Sequence, residues 1–192
     1  MAWGKQHKEK TRQKILDCAA PRFMHEGFDA VSIDAIMADA ELTRGAFYAH
    51  FSSKKQLYAE AIKTAGMTSM EGLQQQADPE DMLHSLIAGY LSRKHCLNEL
   101  PSCPLALLIT DINHRDEVVR NAYTRTLQGF IGKIETHATT SKIEVDSETA
   151  LQTAITMIGG LALARAINNE DLSEQILSAS QNLSRKILQS DT

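Results

Sequence analysis

The chain has 192 residues, 43% of them hydrophobic and 23% charged, which suits one or two compact domains with a buried core and excludes a disordered or collagen-like polypeptide. Four prolines, ten glycines and 5% aromatic residues favour helices over a turn-rich sandwich or barrel, so an all-α protein of about nine helices is expected. No run approaches the roughly 18 uncharged apolar residues of a membrane span. The segment Met1 to Lys14 is basic with no apolar stretch behind it, so the chain reads as cytoplasmic, without a membrane partner. Three cysteines, Cys18, Cys96 and Cys103, are too few for a secreted disulfide framework and fit a reducing compartment.

A formal net charge of −4 argues against nucleic acid until the charge is divided along the chain. Residues 1–63 carry +2 and the remainder −6. Within the first 14 residues Lys5, Lys8, Lys10, Arg12 and Lys14 face only Glu9, a basic arm suited to a phosphate backbone, although a solvated helix start would look the same.

Apolar residues Ile15, Leu16, Ala19 and Phe23 predict a first helix from about Lys8 to His25 that ends at Gly27, with Pro21 bending or stopping it early. Ser32 caps a short helix carrying Ile33, Ile36 and Met37; after Ala40, Glu41 and Leu42, Thr43 caps a second, running to His50. Ser53 and Gln56 have the spacing of a capping box and open a longer helix through Leu57, Ile62 and Met67 towards Gln76. Asp78, Pro79, Glu80 and Asp81 predict the next start, with Pro79 in the first turn. Asn98 to Pro104 reads as a loop, Leu105 to Asn113 as a helix, and long helices follow from Asp116, from near Asp146 and from about Leu172. The helix beginning near Asp146 is apolar over most of its circumference, which requires burial on two sides.

A helix, tight turn and helix near the N-terminus suit DNA, because the second helix fits the major groove while the first braces it. The eight residues Thr43 to His50 are the candidate recognition helix: Gly45 and Ala46 permit close approach, and Arg44 reaches a guanine edge with two bonds. The segment Thr11 to Leu57 resembles the DNA-binding domain of TetR-type transcriptional regulators. The resemblance is carried by Thr11 to Asp17, by Gly27 to Ile33, and by Thr43 to Phe51 followed by Ser53, Lys54 and Leu57. It implies that Arg44 and Gly45 approach bases, that Thr43 caps, and that Tyr48, His50 and Lys54 hold phosphates, with Ser32 adding a contact. Phe23, Ile36 and Phe51 match core positions. The chain departs from the pattern at Glu41, where the turn usually holds a glycine, and at Arg22 in the first helix.

The resemblance further implies a domain boundary between residues 63 and 64, with a ligand-binding and dimerisation domain over residues 64–192. Candidate pocket residues are Met67, Met70, Tyr90, Cys103, Leu107, Asp111, Tyr123 and Phe130, each also explicable as core. Candidate dimer residues are Ile158, Leu161, Ala162, Ile176, Leu183 and Ile187, with Gly159 and Gly160 permitting close helix approach. The expected partners are double-stranded operator DNA, a small-molecule effector and a second copy of the chain, with repression as the mode. No cofactor or metal is implied: His95, Cys96, Cys103, Asp111 and His114 fit no compact zinc spacing. Three alternatives stand beside this reading: thiol sensing through Cys96 and Cys103, a helical enzyme, and a purely architectural DNA binder without a ligand, against which the acidic second half argues. The second lacks a phosphate loop, a metalloprotease pair and a nucleophile elbow.

Overall fold

The structure, a computed structural model, describes residues 2–189, with side chains from Gln6 onward. The chain folds as α1 (Ala2–Ala30), α2 (Ile33–Asp39), α3 (Arg44–Phe47), α4 (Lys54–Gln74), α5 (Met82–Tyr90), α6 (Arg93–Cys96), α7 (Pro104–Leu107), α8 (Ile109–Ile112), α9 (Glu117–Thr140), α10 (Ser147–Ala166) and α11 (Glu170–Gln189). The all-α expectation holds, and no strand occurs among the described residues. None of these helices is long and apolar enough to cross a membrane.

Eleven helices stand among the described residues where about nine were expected, for two local reasons. Ser92 Oγ accepts from the His95 amide at 3.1 Å and caps the extra helix α6, which stops at Asn98 with φ 61°. The helix expected from Leu105 to Asn113 is divided at Leu108, whose φ of −102° and ψ of 5° leave the helical region.

The helical run of α1 is interrupted at Gly27, the expected end, at φ 76° and ψ 176°, but Pro21 does not stop it earlier. Pro21 and Asp17 lie on the exposed face, so water can meet the carbonyl that loses its helical bond. The helix expected at Pro79 begins at Met82, because Asp78 Oδ1 accepts from the Glu80 amide at 3.0 Å and folds the chain into a turn first.

The core falls into two clusters. The first joins Ile15, Ala19, Phe23, Ile36, Phe47, Phe51, Leu57 and Ile62 and continues into Leu108, Ile112 and Val119. The second joins Met70, Leu83, Leu86, Tyr90, Phe130, Ile134, Met157 and Leu161. Helix α4 contributes Leu57 to Ala65 to the first and Met70 and Leu73 to the second, so the expected boundary at 63/64 falls inside one continuous helix. A Cβ on Gly66 would stand 2.7 Å from Thr126 Cγ2, so α4 and α9 cross at close range there. Likewise a Cβ on Gly160 would overlap Ser180, so this glycine packs α10 against α11 of the same chain.

Candidate nucleic-acid interface and central cleft

The turn between α2 and α3 is built around Glu41. Its amide donates to Ala38 O at 2.9 Å and the Leu42 amide to Met37 O at 2.8 Å, the paired bonds of a helix ending in a left-handed residue. Glu41 accordingly has φ 54°, the position where the family pattern has glycine. Ser32 Oγ accepts from the Ala35 amide at 3.0 Å and caps α2. Thr43 occupies the N-cap position of α3, but its hydroxyl makes no capping bond, which corrects the expected role. The expected eight-residue helix is also shorter. Regular helix covers Arg44–Phe47, and Ala49 and His50 continue through tighter bonds to Ala46 O and Phe47 O at 3.2 and 2.9 Å.

Buried Phe47 and Phe51 anchor this segment, their ring centroids 5.8 Å apart. Ser32, Thr43, Arg44, Gly45 and Tyr48 are exposed on it, Tyr48 at 58%. Arg44 Nη1 donates to Asp34 Oδ2 at 2.7 Å across the turn, an ion pair exposed enough to exchange for another partner at little cost. His50 is half-buried; burial, then the charges of Lys8 and Arg12 on α1, hold its pKa below the usual histidine range, and its Nδ1 has no partner among the described residues. Lys54 lies elsewhere. Its ammonium sits 4.3 Å from the Phe28 ring centroid, and burial lowers its pKa. Of the basic arm, Lys8, Lys10 and Lys14 are exposed, Arg12 pairs with Glu60, and the Lys5 side chain lies outside the described residues.

Beside Lys54, Arg115 joins the two halves of the chain. It donates through Nη1 and Nη2 to Asp29 at 3.2 and 2.8 Å and through Nε to Asp111 Oδ2 at 3.1 Å. Tyr58 on α4 donates to Asp111 Oδ2 at 2.7 Å, and Lys55 pairs with Asp116 at 2.8 Å. Burial would raise the Asp111 pKa, but the bonds from Arg115 and Tyr58 outweigh it and hold the carboxyl below its ordinary value. Sequence reading missed Arg115, because its partner Asp29 is 86 residues away.

A cleft of about 800 Å³ opens between α4 and α9. Of the candidate pocket residues Met67, Met70, Tyr90, Cys103 and Phe130 line it. Leu107, Asp111 and Tyr123 do not: Leu107 packs against the first core, Asp111 is bound into the Arg115 network, and the Tyr123 hydroxyl donates to Leu105 O at 2.6 Å. Not anticipated were Lys63, Arg125 and Lys133 at its rim, although Arg125 and Lys133 stand eight residues apart on one helical face.

The candidate dimer residues divide likewise. Leu161 is fully buried in the chain's own core and Ile158 is 7% exposed, so these two face inward. Ala162, Ile176 and Ile187 are half-buried and Leu183 is 50% exposed. The outward apolar face of α10 is instead Leu151, Ile155 and Leu163, 41%, 61% and 60% exposed, with open space over Gly159.

The two thiols of the sensing alternative differ in their surroundings. Cys103 is buried, which pushes its thiol up, and it receives the Tyr90 hydroxyl at 3.3 Å; Cys96 Sγ lies 3.9 Å from Ser173 Oγ. Among the described residues no three histidine, cysteine, aspartate or glutamate side chains gather as metal ligands.

Comparison with known proteins agrees with this architecture. Residues 15–61 match the model of the bacterial regulatory proteins of the tetR family. The chain is 44% identical over 55 residues to the transposon Tn10 TetC protein of Escherichia coli, a match covering 29% of this chain and 28% of that protein. It is 33% identical over 52 residues to the biofilm operon icaADBC HTH-type negative transcriptional regulator IcaR of Staphylococcus aureus, covering 27% and 28%. The crystal structure of a TetR-family transcriptional regulator from Cytophaga hutchinsonii superposes with a TM-score of 0.74 at 18% identity, over 94% of this chain and 96% of that one. The sequence matches thus span about a quarter of these relatives, over the reading head, while the likeness of fold spans nearly the whole chain. Residues 15–61 thus resemble the DNA-binding segment of tetR-family regulatory proteins, and the chain as a whole has the fold of the TetR-family structure.

Proposed function

We propose that the protein is a transcriptional repressor that binds a palindromic operator as a homodimer and is released by a small-molecule effector. The observation that carries this reading is the exposed patch of Ser32, Thr43, Arg44, Gly45 and Tyr48, seated on buried Phe47 and Phe51 behind a helix and a tight turn. Arg44 exchanges Asp34 for a guanine edge, Gly45 leaves room for the duplex, and Tyr48 and the exposed lysines of α1 meet phosphates. Thr43 contributes its hydroxyl, left free of capping, to the backbone or a base. His50 positions the segment from below, and Lys54 reaches phosphate only by leaving the Phe28 ring. Repression is the mode that the relative described as a negative transcriptional regulator supports.

Residues 1–63 form the reading head, and residues 64–192 bind effector and partner. The outward face of α10 and α11, Leu151, Ile155, Leu163 and Leu183, joins two copies, and two heads then read half-sites about one helical turn apart. Helix α4 runs from the capping residue Ser53, below the head, to the wall of the cleft. An effector entering between α4 and α9 acts on the crossing at Gly66 and on the Tyr58–Asp111–Arg115 network, and so on the spacing of the heads. Selection of bound duplexes from a random pool tests the proposal: inverted repeats support it, and a pool without enrichment overturns it.

A further inference from the structure

The cleft between α4 and α9 separates its chemistry into two zones. Its floor is Met70, Leu73, Tyr90, Leu105 and Phe130, with the Tyr90 and Phe130 ring centroids 5.2 Å apart. The Tyr90 hydroxyl is fully buried and already donates to Cys103 Sγ, so it has no proton left for a ligand. The Tyr90 phenol therefore offers no proton to an anionic group, whose complementary charges stand at the mouth. There Lys63 on α4 and Arg125 and Lys133 on α9 are exposed, and none has an acidic partner among the described residues. The rim also holds Glu60 and Glu71, but Glu60 is engaged by Arg12. Three cations thus stand against one uncommitted carboxylate in a chain whose formal net charge is −4. The local sign is opposite to the global one.

We propose that the cleft takes an amphipathic organic anion, with an alkyl or aromatic body on the floor and a carboxylate at the rim against Lys63, Arg125 and Lys133. The inference rests on the reading of this cleft as the effector site and names the class of effector. A volume of about 800 Å³ accommodates such a body together with its head group. Burial of the apolar body supplies most of the affinity; the exposed cations add less and set the preference for sign.

The test is calorimetric titration of the full chain, at low salt and neutral pH, with decanoate, 1-decanol and decyltrimethylammonium. These share a tail and differ in charge. Decanoate is expected to bind at least about 10-fold more tightly than the ammonium probe, a preference that shrinks as salt screens the rim. The variant Lys63→Gln/Arg125→Gln/Lys133→Gln is expected to lose the preference while still binding decanol. The salt dependence of the unsubstituted chain reads the same charges should the variant fold poorly. No binding of decanoate, equal or tighter binding of the ammonium probe, or a preference that survives the triple substitution would each overturn the proposal. Failure of the underlying effector reading looks different: the probes bind in the expected order but leave affinity for the selected duplex unchanged.

Discussion

The Tyr58 phenol donates to Asp111 Oδ2 at 2.7 Å, tying the helix below the reading head to the segment preceding α9. Tyr58 is fully buried, and burial together with the facing carboxylate pushes its pKa far above the ordinary value, so it remains a donor at any working pH. Tyr58→Phe removes one bond to a charged acceptor and leaves Arg115 as the main partner of Asp111. The expected cost is about 2 kcal/mol, or a fall in Tm of about 4 to 8 °C for a chain of this size. Because the bond spans both halves, the variant is also expected to weaken the effect of ligand on duplex affinity, read by fluorescence anisotropy with and without decanoate. An unchanged Tm and an unchanged ligand effect would remove the pair from the account.

Glu41 illustrates two opposing terms of known size. Its left-handed φ of 54° costs a side-chain-bearing residue about 1 to 2 kcal/mol, while its exposed pair with Lys14 at 3.1 Å returns at most about 1 kcal/mol. Strain therefore wins. Glu41→Gly also loses about 0.4 to 1 kcal/mol to the greater freedom of the unfolded chain, so a net gain of no more than about 0.5 kcal/mol is expected in urea unfolding, with the slope unchanged. Destabilisation would show that the ion pair or the turn is worth more than these magnitudes allow.

His95 gives the protein an acid-side weakness. The side chain is fully buried, Nδ1 lies 2.7 Å from Tyr90 O, and burial, with the nearby Arg165 guanidinium, lowers its pKa to about 4 from the ordinary 6.5. The unfolded chain takes up a proton in that window that the folded chain refuses. Stability is therefore complete above pH 6.5 and is lost as pH falls towards about 4, with a slope of up to about 1.4 kcal/mol per pH unit. His50 and His137 are shifted in the same direction, so His95→Asn is expected to make the decline shallower without abolishing it. Thermal melts across pH 4 to 7 read this directly; parallel profiles for the two proteins would contradict it.

The proposed dimer face yields a sharp contrast within one helix. Ile155→Glu with Leu163→Glu places two charges on the outward face and is expected to give a monomer in sedimentation velocity with unchanged helix content by circular dichroism. Leu161→Ala instead opens the chain's own core, where truncations of this kind cost about 2 to 5 kcal/mol, and is expected to unfold the chain before it separates copies. A dimer that survives the paired substitution would place the interface elsewhere.

What the sequence discloses follows from the range of the interactions involved. Caps act over three residues, so Ser32, Ser53, Asp116 and Asp146 mark their helices correctly, each accepting from the amide three positions on. The reading-head motif is equally local. By contrast, the positions of Lys54 and Arg115 depend on Phe28 and Asp29, partners far away in the chain. Helix α10 defeats periodicity for another reason: apolar all round, it offers no polar face to tell inward Leu161 from outward Leu163. In the cleft, apolar spacing identifies helices but not the gap between them, so Tyr123 and Met70 look alike until α4 and α9 are placed.

The most direct measurement of the central claim is guanine N7 methylation interference on the selected duplex, because that atom lies in the major groove where Arg44 is placed. The account predicts two symmetric patches of interference about one helical turn apart, with the patch pattern lost and affinity reduced by about 1 to 3 kcal/mol in Arg44→Ala. A single patch, no interference at any guanine N7, or a pattern unchanged by Arg44→Ala would contradict it.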